Sequence, residues 1–212
     1  MALKLEISYV SYDELRSLTL SFLKKFRMDQ NIPVEIEELL ECKLKKNICP
    51  IPGLLDTYEI DGWTSNDLTT IYVDEFIYKS RETRYRFTLA HELGHIVLHK
   101  DIYETQRISS VEEWRSFCKE VDETSYAWLE SQAYNFAGLI LVPSVHLEGH
   151  FQKILNKFRP RFEAASRKRL TKDKYIDYFI DISSIQLSSI FNVSQDVIEK
   201  RLIKDSLITR IP

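Results

Sequence analysis

Apolar residues recur at three- and four-residue intervals from Leu15 to Phe26, behind an S-x-x-E box formed by Ser11 and Glu14. That spacing predicts a first helix. Pro33 suits the first turn of a second helix, with Val34, Leu39, Leu40 and Leu44 as its inner face. The stretch "NICPIPG" interrupts the pattern. Between Leu54 and Asp74 the period changes. There "TYEI", "WTS" and "LTTIYV", separated by Asp61-Gly62 and Asn66-Asp67 turns, predict a small antiparallel β-meander. Helical spacing returns near Arg81 and runs through "RFTLAHELGHIVLH". From Lys100 to Ser125 the chain is polar and mixed, a loop around one short helix at "VEEWRSFCKE". A helix with a strongly apolar face then runs from about Tyr126 until Pro143 stops it. The tail "SSIQLSSIFNVSQDVIEKRLIKDSLI" carries two short helical patterns about a Phe191-Asn192-Val193 turn.

Composition changes this picture little. The 212 residues, 44% hydrophobic and 29% charged, fit one large globular domain or a core domain with a small appendage. A net charge of −3 gives no global pull toward nucleic acid or membrane. Locally, Phe151 to Lys174 holds nine Lys/Arg against two Asp/Glu, a stretch of +7 that leaves −10 elsewhere. It lacks regular aromatic interleaving and is expected to be a solvated, basic helical face. Apolar runs such as "GLILV" are far short of a membrane span, and the first residues show no secretory leader. Cys42, Cys49 and Cys118 are odd in number and form no C-x-x-C pair, which points to a reducing cytoplasm and away from a cysteine zinc site.

The candidate chemistry sits in "RFTLAHELGHIVLH". His91 and His95 are four apart, so a helix places them on one face a single turn apart. Two imidazoles so placed can grip one tetrahedral zinc at ~2.0–2.1 Å. Glu92 follows the first of them, the H-E-x-x-H arrangement in which the glutamate is the general base. A catalytic zinc needs a third protein ligand and an open position. Glu130 in "WLESQAYNFAGLILVP" is the best candidate, 35 residues beyond His95 on a helix whose Ala133, Phe136, Ala137, Ile140 and Leu141 recur at core spacing. Ala133, Ala137 and Gly138 would let that helix press closely, and Gly94 would do so from the other side, at ~1 kcal/mol in helix propensity. The motif alone is short. Its amphipathic helix, the strands before it and the carboxylate after it are the context the motif demands. His99 lies ~12 Å along the axis from His91, too far to share a metal, and is expected to cap the helix or line the cleft. Tyr72, Tyr126, Tyr134 and His99 all remain candidates to stabilise an oxyanion.

These residues resemble the ImmA/IrrE family of zinc metallopeptidases. "RFTLAHELGHIVLH" is similar to that family's signature helix, and "ESQAYNFAGLILVP" to its second motif, an E-x-x-A-N-x-F-A helix closing in Leu-x-x-Pro. The likeness is strongest from residue 68 to 145. The resemblance implies that His91, His95 and Glu130 bind Zn2+, with Mn2+ as an alternative, and that Glu92 is catalytic. It also implies a protein substrate, a helix-turn-helix (Xre-type) repressor, in a phage, mobile-element, toxin–antitoxin or stress-response locus. One position departs: where the family usually has Asn after the motif alanine, this chain has Tyr134, four beyond Glu130.

The expected fold is α+β: a zincin-like metallopeptidase core over residues 1–150, with a small antiparallel meander, and a helical C-terminal unit over 151–212. Within it, 183–209 looks like a helix-turn-helix, with Ser194 as N-cap of its second helix. That helix mixes Asp196 and Glu199 with Lys200, Arg201 and Lys204, a poor phosphate-binding face, so any DNA binding is expected to be weak. "TTIYV" is expected to offer the sheet edge on which a peptide substrate adds. The rival reading is a non-catalytic regulator that binds DNA or a repressor, with a structural zinc. A structural zinc wants four ligands, and the sequence offers three good ones.

Overall fold

A computed structural model describes residues 5, 7–106, 110–167 and 172–211. It divides into two compact units, Met1–Leu141 and Val142–Pro212. The chain is mostly helical with one small mixed sheet, an α+β arrangement.

In the first unit, α1 (Tyr12–Phe26) opens on the expected capping box: the Ser11 hydroxyl accepts from Glu14 N, and the Glu14 carboxylate accepts from Ser11 N at 2.8 Å. The second helical segment begins past Pro33 and runs as a π-helix over Glu38–Lys43. Its Val34, Leu39 and Leu40 are fully buried and Leu44 partly so.

The sheet departs from an antiparallel meander. "NICPI" is a strand, β1 (Asn47–Ile51), and "TYEI" is not. Thr57 and Tyr58 close a five-residue helix, α2 (Leu54–Tyr58), which follows Gly53 at φ 74°. The reason lies in Asp74. Its Oδ2 accepts from Leu55 N at 2.9 Å, drawing that segment into a turn, while its Oδ1 caps α3 (Glu75–Ser80) through Phe76 N and Ile77 N. Strands β2 (Gly62–Thr64) and β3 (Thr70–Asp74) pair antiparallel, and β1 pairs parallel to β3, in the order β1-β3-β2. Pro50 is tolerated because β1 is an edge. The strand expected at the edge, "TTIYV", is therefore the central one, paired on both sides, and the edge opposite β1 belongs to β2. Trp63 and Tyr72, directly opposed across β2 and β3, stack with centroids 4.8 Å apart.

The long helices α4 (Glu82–Leu98) and α7 (Glu123–Leu141) form the spine of this unit. Leu89, Ala90 and Leu93 of α4 meet a core to which Leu129, Ala133, Phe136, Ala137 and Ile140 of α7 contribute, all at 0% exposure. The two backbones approach closely at Gly94, where an added Cβ would sit 3.0 Å from Ala133 Cα and 3.1 Å from Ala133 O. Alanine at Gly94 would gain about 1 kcal/mol in helix propensity. Overpacking against backbone, which cannot swing aside as a side chain can, costs typically ~1–3 kcal/mol. Gly94→Ala is therefore expected to cost a net ~0–2 kcal/mol, read as a lower urea midpoint at an unchanged m-value. The polar stretch between these helices folds into two helices and not one, α5 (Lys100–Gln106) and α6 (Val111–Glu120). Tyr103, Trp114 and Phe117 from it join Trp63, Leu68 and Val121 in a second apolar cluster.

The second unit holds α8 (Ser144–Arg167), α9 (Lys172–Phe191), α10 (Gln195–Lys204) and a 3-10 turn at Leu207–Arg210. Its core gathers Phe151, Phe158 and Phe162 from α8 around Phe179 of α9, with centroids 5.2–5.7 Å apart. The first of the two expected tail patterns is the end of the 20-residue α9. Asn192, at φ 51°, breaks the chain there, and Ser194 caps α10 through Val197 N. Of the basic stretch, 151–167 is helical, while residues 168–171 lie outside the described residues. Among the described residues no helix is long and apolar enough to cross a membrane.

Candidate metal centre

Helix α4 carries His91 and His95 one turn apart on the side facing α7, and α7 brings Glu130 to them. His91 Nε2 lies 3.0 Å from His95 Nε2 and 3.2 Å from Glu130 Oε2, and His95 Nε2 lies 3.6 Å from Glu130 Oε1. Two donors bound at ~2.0–2.1 Å across a tetrahedral angle are roughly 3.3–3.4 Å apart, so these separations suit one ion shared by three donors. Among the described residues this is the one cluster of three or more His, Cys, Asp or Glu close enough to do so. Two imidazoles and one carboxylate form a hydrolytic donor set that leaves a fourth position open.

The surroundings set the charge state of each donor. Burial pushes His95 well below the usual histidine range, with a smaller push from the His91 charge, so its ring is neutral as a ligand requires. Burial also depresses His91, but its hydrogen bond to Glu130 and that carboxylate's charge outweigh it and raise the group overall. Tyr103 and Trp114, themselves stacked with centroids 5.5 Å apart, wall off His95.

Glu92 points into the same cleft, which measures about 330 Å³ and is lined by Gly62, Thr88, His91, Glu92, His95 and Glu130 among others. Burial raises the Glu92 carboxyl, while the His91 charge and a bond from Thr64 pull it back. Thr64 Oγ1 donates to Glu92 Oε2 at 2.8 Å from the end of β2. Gly62, two residues earlier, lets this strand lie against α4: a Cβ there would meet Thr88 Cγ2 at 2.6 Å. Asp61 anchors the approach to β2 by a bidentate pair with Arg84, at 2.6 and 2.7 Å. Thr64→Val keeps the shape and deletes the donor. With Thr64 at 0% and Glu92 at 6% exposure, it is expected to cost about 1.5–3 kcal/mol, read as a lower urea midpoint.

His99 closes α4 as its C-cap, its backbone N–H donating to His95 O at 2.9 Å, and does not line the cleft. It is buried behind the site, with Nδ1 3.1 Å from His95 Nδ1 and Nε2 3.1 Å from Gln132 Oε1. Of the tyrosines, Tyr126 and Tyr134 line the cleft and Tyr72 does not. Tyr134, the departure from the second motif, packs its ring on Phe87 with centroids 4.8 Å apart. Sequence reasoning missed Thr64 and Gln132. Gln132 left a signal, a polar residue on the buried face of an apolar helix; Thr64 left none.

The model of the IrrE N-terminal-like domain, of peptidase family M78, matches residues 76–202. Curated proteins offer no match to the sequence. Among solved structures, a Mycobacterium tuberculosis transcriptional regulator is similar, with a TM-score of 0.49 at 15% identity over 92% of this chain and 56% of that one. The chain thus spans little more than half of that regulator's length. With the family match covering more than half of its residues, the chain belongs to the IrrE N-terminal-like family, which implies a metallopeptidase-like domain.

Proposed function

We propose that this protein is a zinc-dependent endopeptidase that cleaves or inactivates a helix-turn-helix repressor controlling a phage, mobile-element, toxin–antitoxin or stress-response locus. The observation that carries the reading is the convergence of His91, His95 and Glu130 within 3.0–3.6 Å beside a buried, hydroxyl-held Glu92. His91, His95 and Glu130 would hold zinc, or manganese in its place. Bound there, the ion supplies a Lewis acid and brings the pKa of its water toward ~7. Glu92 takes a proton from the attacking water. Its Oε2 is engaged by Thr64, which leaves Oε1 to accept that proton and pass it to the leaving amine. Tyr126 and Tyr134 offer hydroxyls toward a carbonyl oxygen in the cleft. The free edge of β2, beside the cleft, suits an extended peptide that adds as a further strand.

Residues 1–150 are read as the zincin-like core and 183–209 as a helix-turn-helix-like element that recognises a protein partner. Its second helix has little charge to spare for phosphates. Lys200 pairs with Asp196 at 2.8 Å, and Arg201, 3% exposed, pairs with Asp205 at 2.7 Å and also bonds Ser144 and the Val142 carbonyl. Free thiols exposed at Cys42 and Cys49 fit a reducing cytoplasm. The test is to incubate the zinc-loaded protein with the repressor encoded beside it and read the products by mass spectrometry. Discrete fragments are expected. An intact repressor that is nevertheless bound would support the non-catalytic regulator instead.

A further inference from the structure

Behind His95 runs a buried polar chain that, with both imidazoles neutral, has one self-consistent placement of its hydrogens. It starts at the Ser8 backbone carbonyl, which can only accept. Gln132 therefore presents its Nε2 amine to Ser8 O at 2.8 Å and its Oε1 to His99 Nε2 at 3.1 Å. An amide oxygen also only accepts, so the ring hydrogen of His99 sits on Nε2. A neutral imidazole has a single N–H, which makes His99 Nδ1 a lone pair. The His95 Nδ1 that faces it at 3.1 Å must then carry the hydrogen. His95 Nε2 is left with its lone pair directed at His91 and Glu130.

We propose that the Ser8 carbonyl, Gln132 and His99 form a positioning chain that sets the tautomer and orientation of the His95 ring, so that its Nε2 lone pair faces the donor cluster. The inference rests on the metal reading of that cluster only for its purpose, not for its geometry. His99 at 4% and Gln132 at 3% exposure occupy positions where a purely structural core would place apolar side chains. Burying two such groups is costly unless each is bonded, and here each is bonded in the one direction that frees Nε2. In the other tautomer a hydrogen on Nε2 would point at His91 and Glu130 and would have to leave before an ion could bind. The chain also ties the ligand to the segment before α1, where Ser125 Oγ donates to Leu5 O at 3.2 Å alongside the Gln132–Ser8 bond.

Two readouts on the full-length protein test this. Long-range 1H–15N correlation of the histidine rings, in the metal-free protein, reads the tautomer directly. Wild type is expected to show His95 protonated on Nδ1 and bare on Nε2, and Gln132→Leu to show both ring forms. Zinc affinity, by competition with a chelator, is expected to fall about tenfold to a hundredfold in His99→Leu. His99→Asn places an amide oxygen near the former Nδ1 and is expected to recover most of that loss, which separates positioning from simple loss of folding. A hydrogen on His95 Nε2 in the wild type, or wild-type affinity in His99→Leu, would overturn the proposal. A wild-type chain that takes up no zinc would overturn the metal reading, and the tautomer would still decide this one.

Discussion

Glu92→Gln is expected to leave the fold and the zinc content intact while cutting peptide cleavage by about 10²–10⁴-fold, the usual worth of a positioned general base. The amide matches the carboxylate in shape, so Thr64 Oγ1 can still donate to its oxygen and the close approach of β2 to α4 survives. What disappears is the basic oxygen that takes the proton from water. Glu92 is 6% exposed, and burial already disfavours its charged form, so the substitution also removes a buried charge. The variant should therefore be no less stable than wild type in a thermal melt. Cleavage at an undiminished rate by a zinc-loaded Glu92→Gln protein would show that another group is the base.

Glu130→Ala is expected to weaken zinc binding by about two orders of magnitude. Structural sites with four ligands hold zinc with about 10–16 kcal/mol, roughly 3 kcal/mol for each ligand, which corresponds to about 10²-fold per donor removed. Glu130 is the better probe than His95. Its side chain is 32% exposed against 2% for His95, so truncation leaves no cavity in the core. The chain's response to zinc should change with it. A ligand that binds only the folded state stabilises by RT ln(1 + [L]/Kd), about 2.7 kcal/mol at a hundredfold excess over Kd. Wild type should gain thermal stability on adding zinc, and Glu130→Ala should gain little at the same concentration. Equal zinc content in both after dialysis would remove Glu130 from the donor set.

The parts of the molecule that follow a local period can be read from the sequence. The Ser11–Glu14 box, the α4 and α7 spacings and the Ser194 cap each depend on contacts three or four residues apart, and each is found where the spacing places it. The His91–His95 pair has the same origin, and Glu130 stands out as an acid on an apolar helix. The sheet does not follow such a rule. β2 is three residues long, β1 contains a proline, and the order β1-β3-β2 is set by pairings that no alternation encodes. "TYEI" has β-like composition, yet the Asp74 carboxylate, 19 positions from Leu55, holds the segment leading into it as a helix. The supports of the site are harder still to see. Thr64 reaches Glu92 across 28 positions and Ser8 reaches Gln132 across 124, and contacts at such separation leave no periodic mark.

Both of those supports come from outside residues 76–202, the stretch shared with the family. The motif helix and its acidic partner are therefore not a portable cassette. A protein trimmed to the shared stretch, or a graft of α4 and α7 onto a foreign scaffold, would carry His91, His95 and Glu130 but neither the hydroxyl that holds Glu92 nor the carbonyl that anchors Gln132. Such a transplant would inherit ligands without their aim, and a donor set loose by even about 1 Å is a common way for an engineered site to be present and idle.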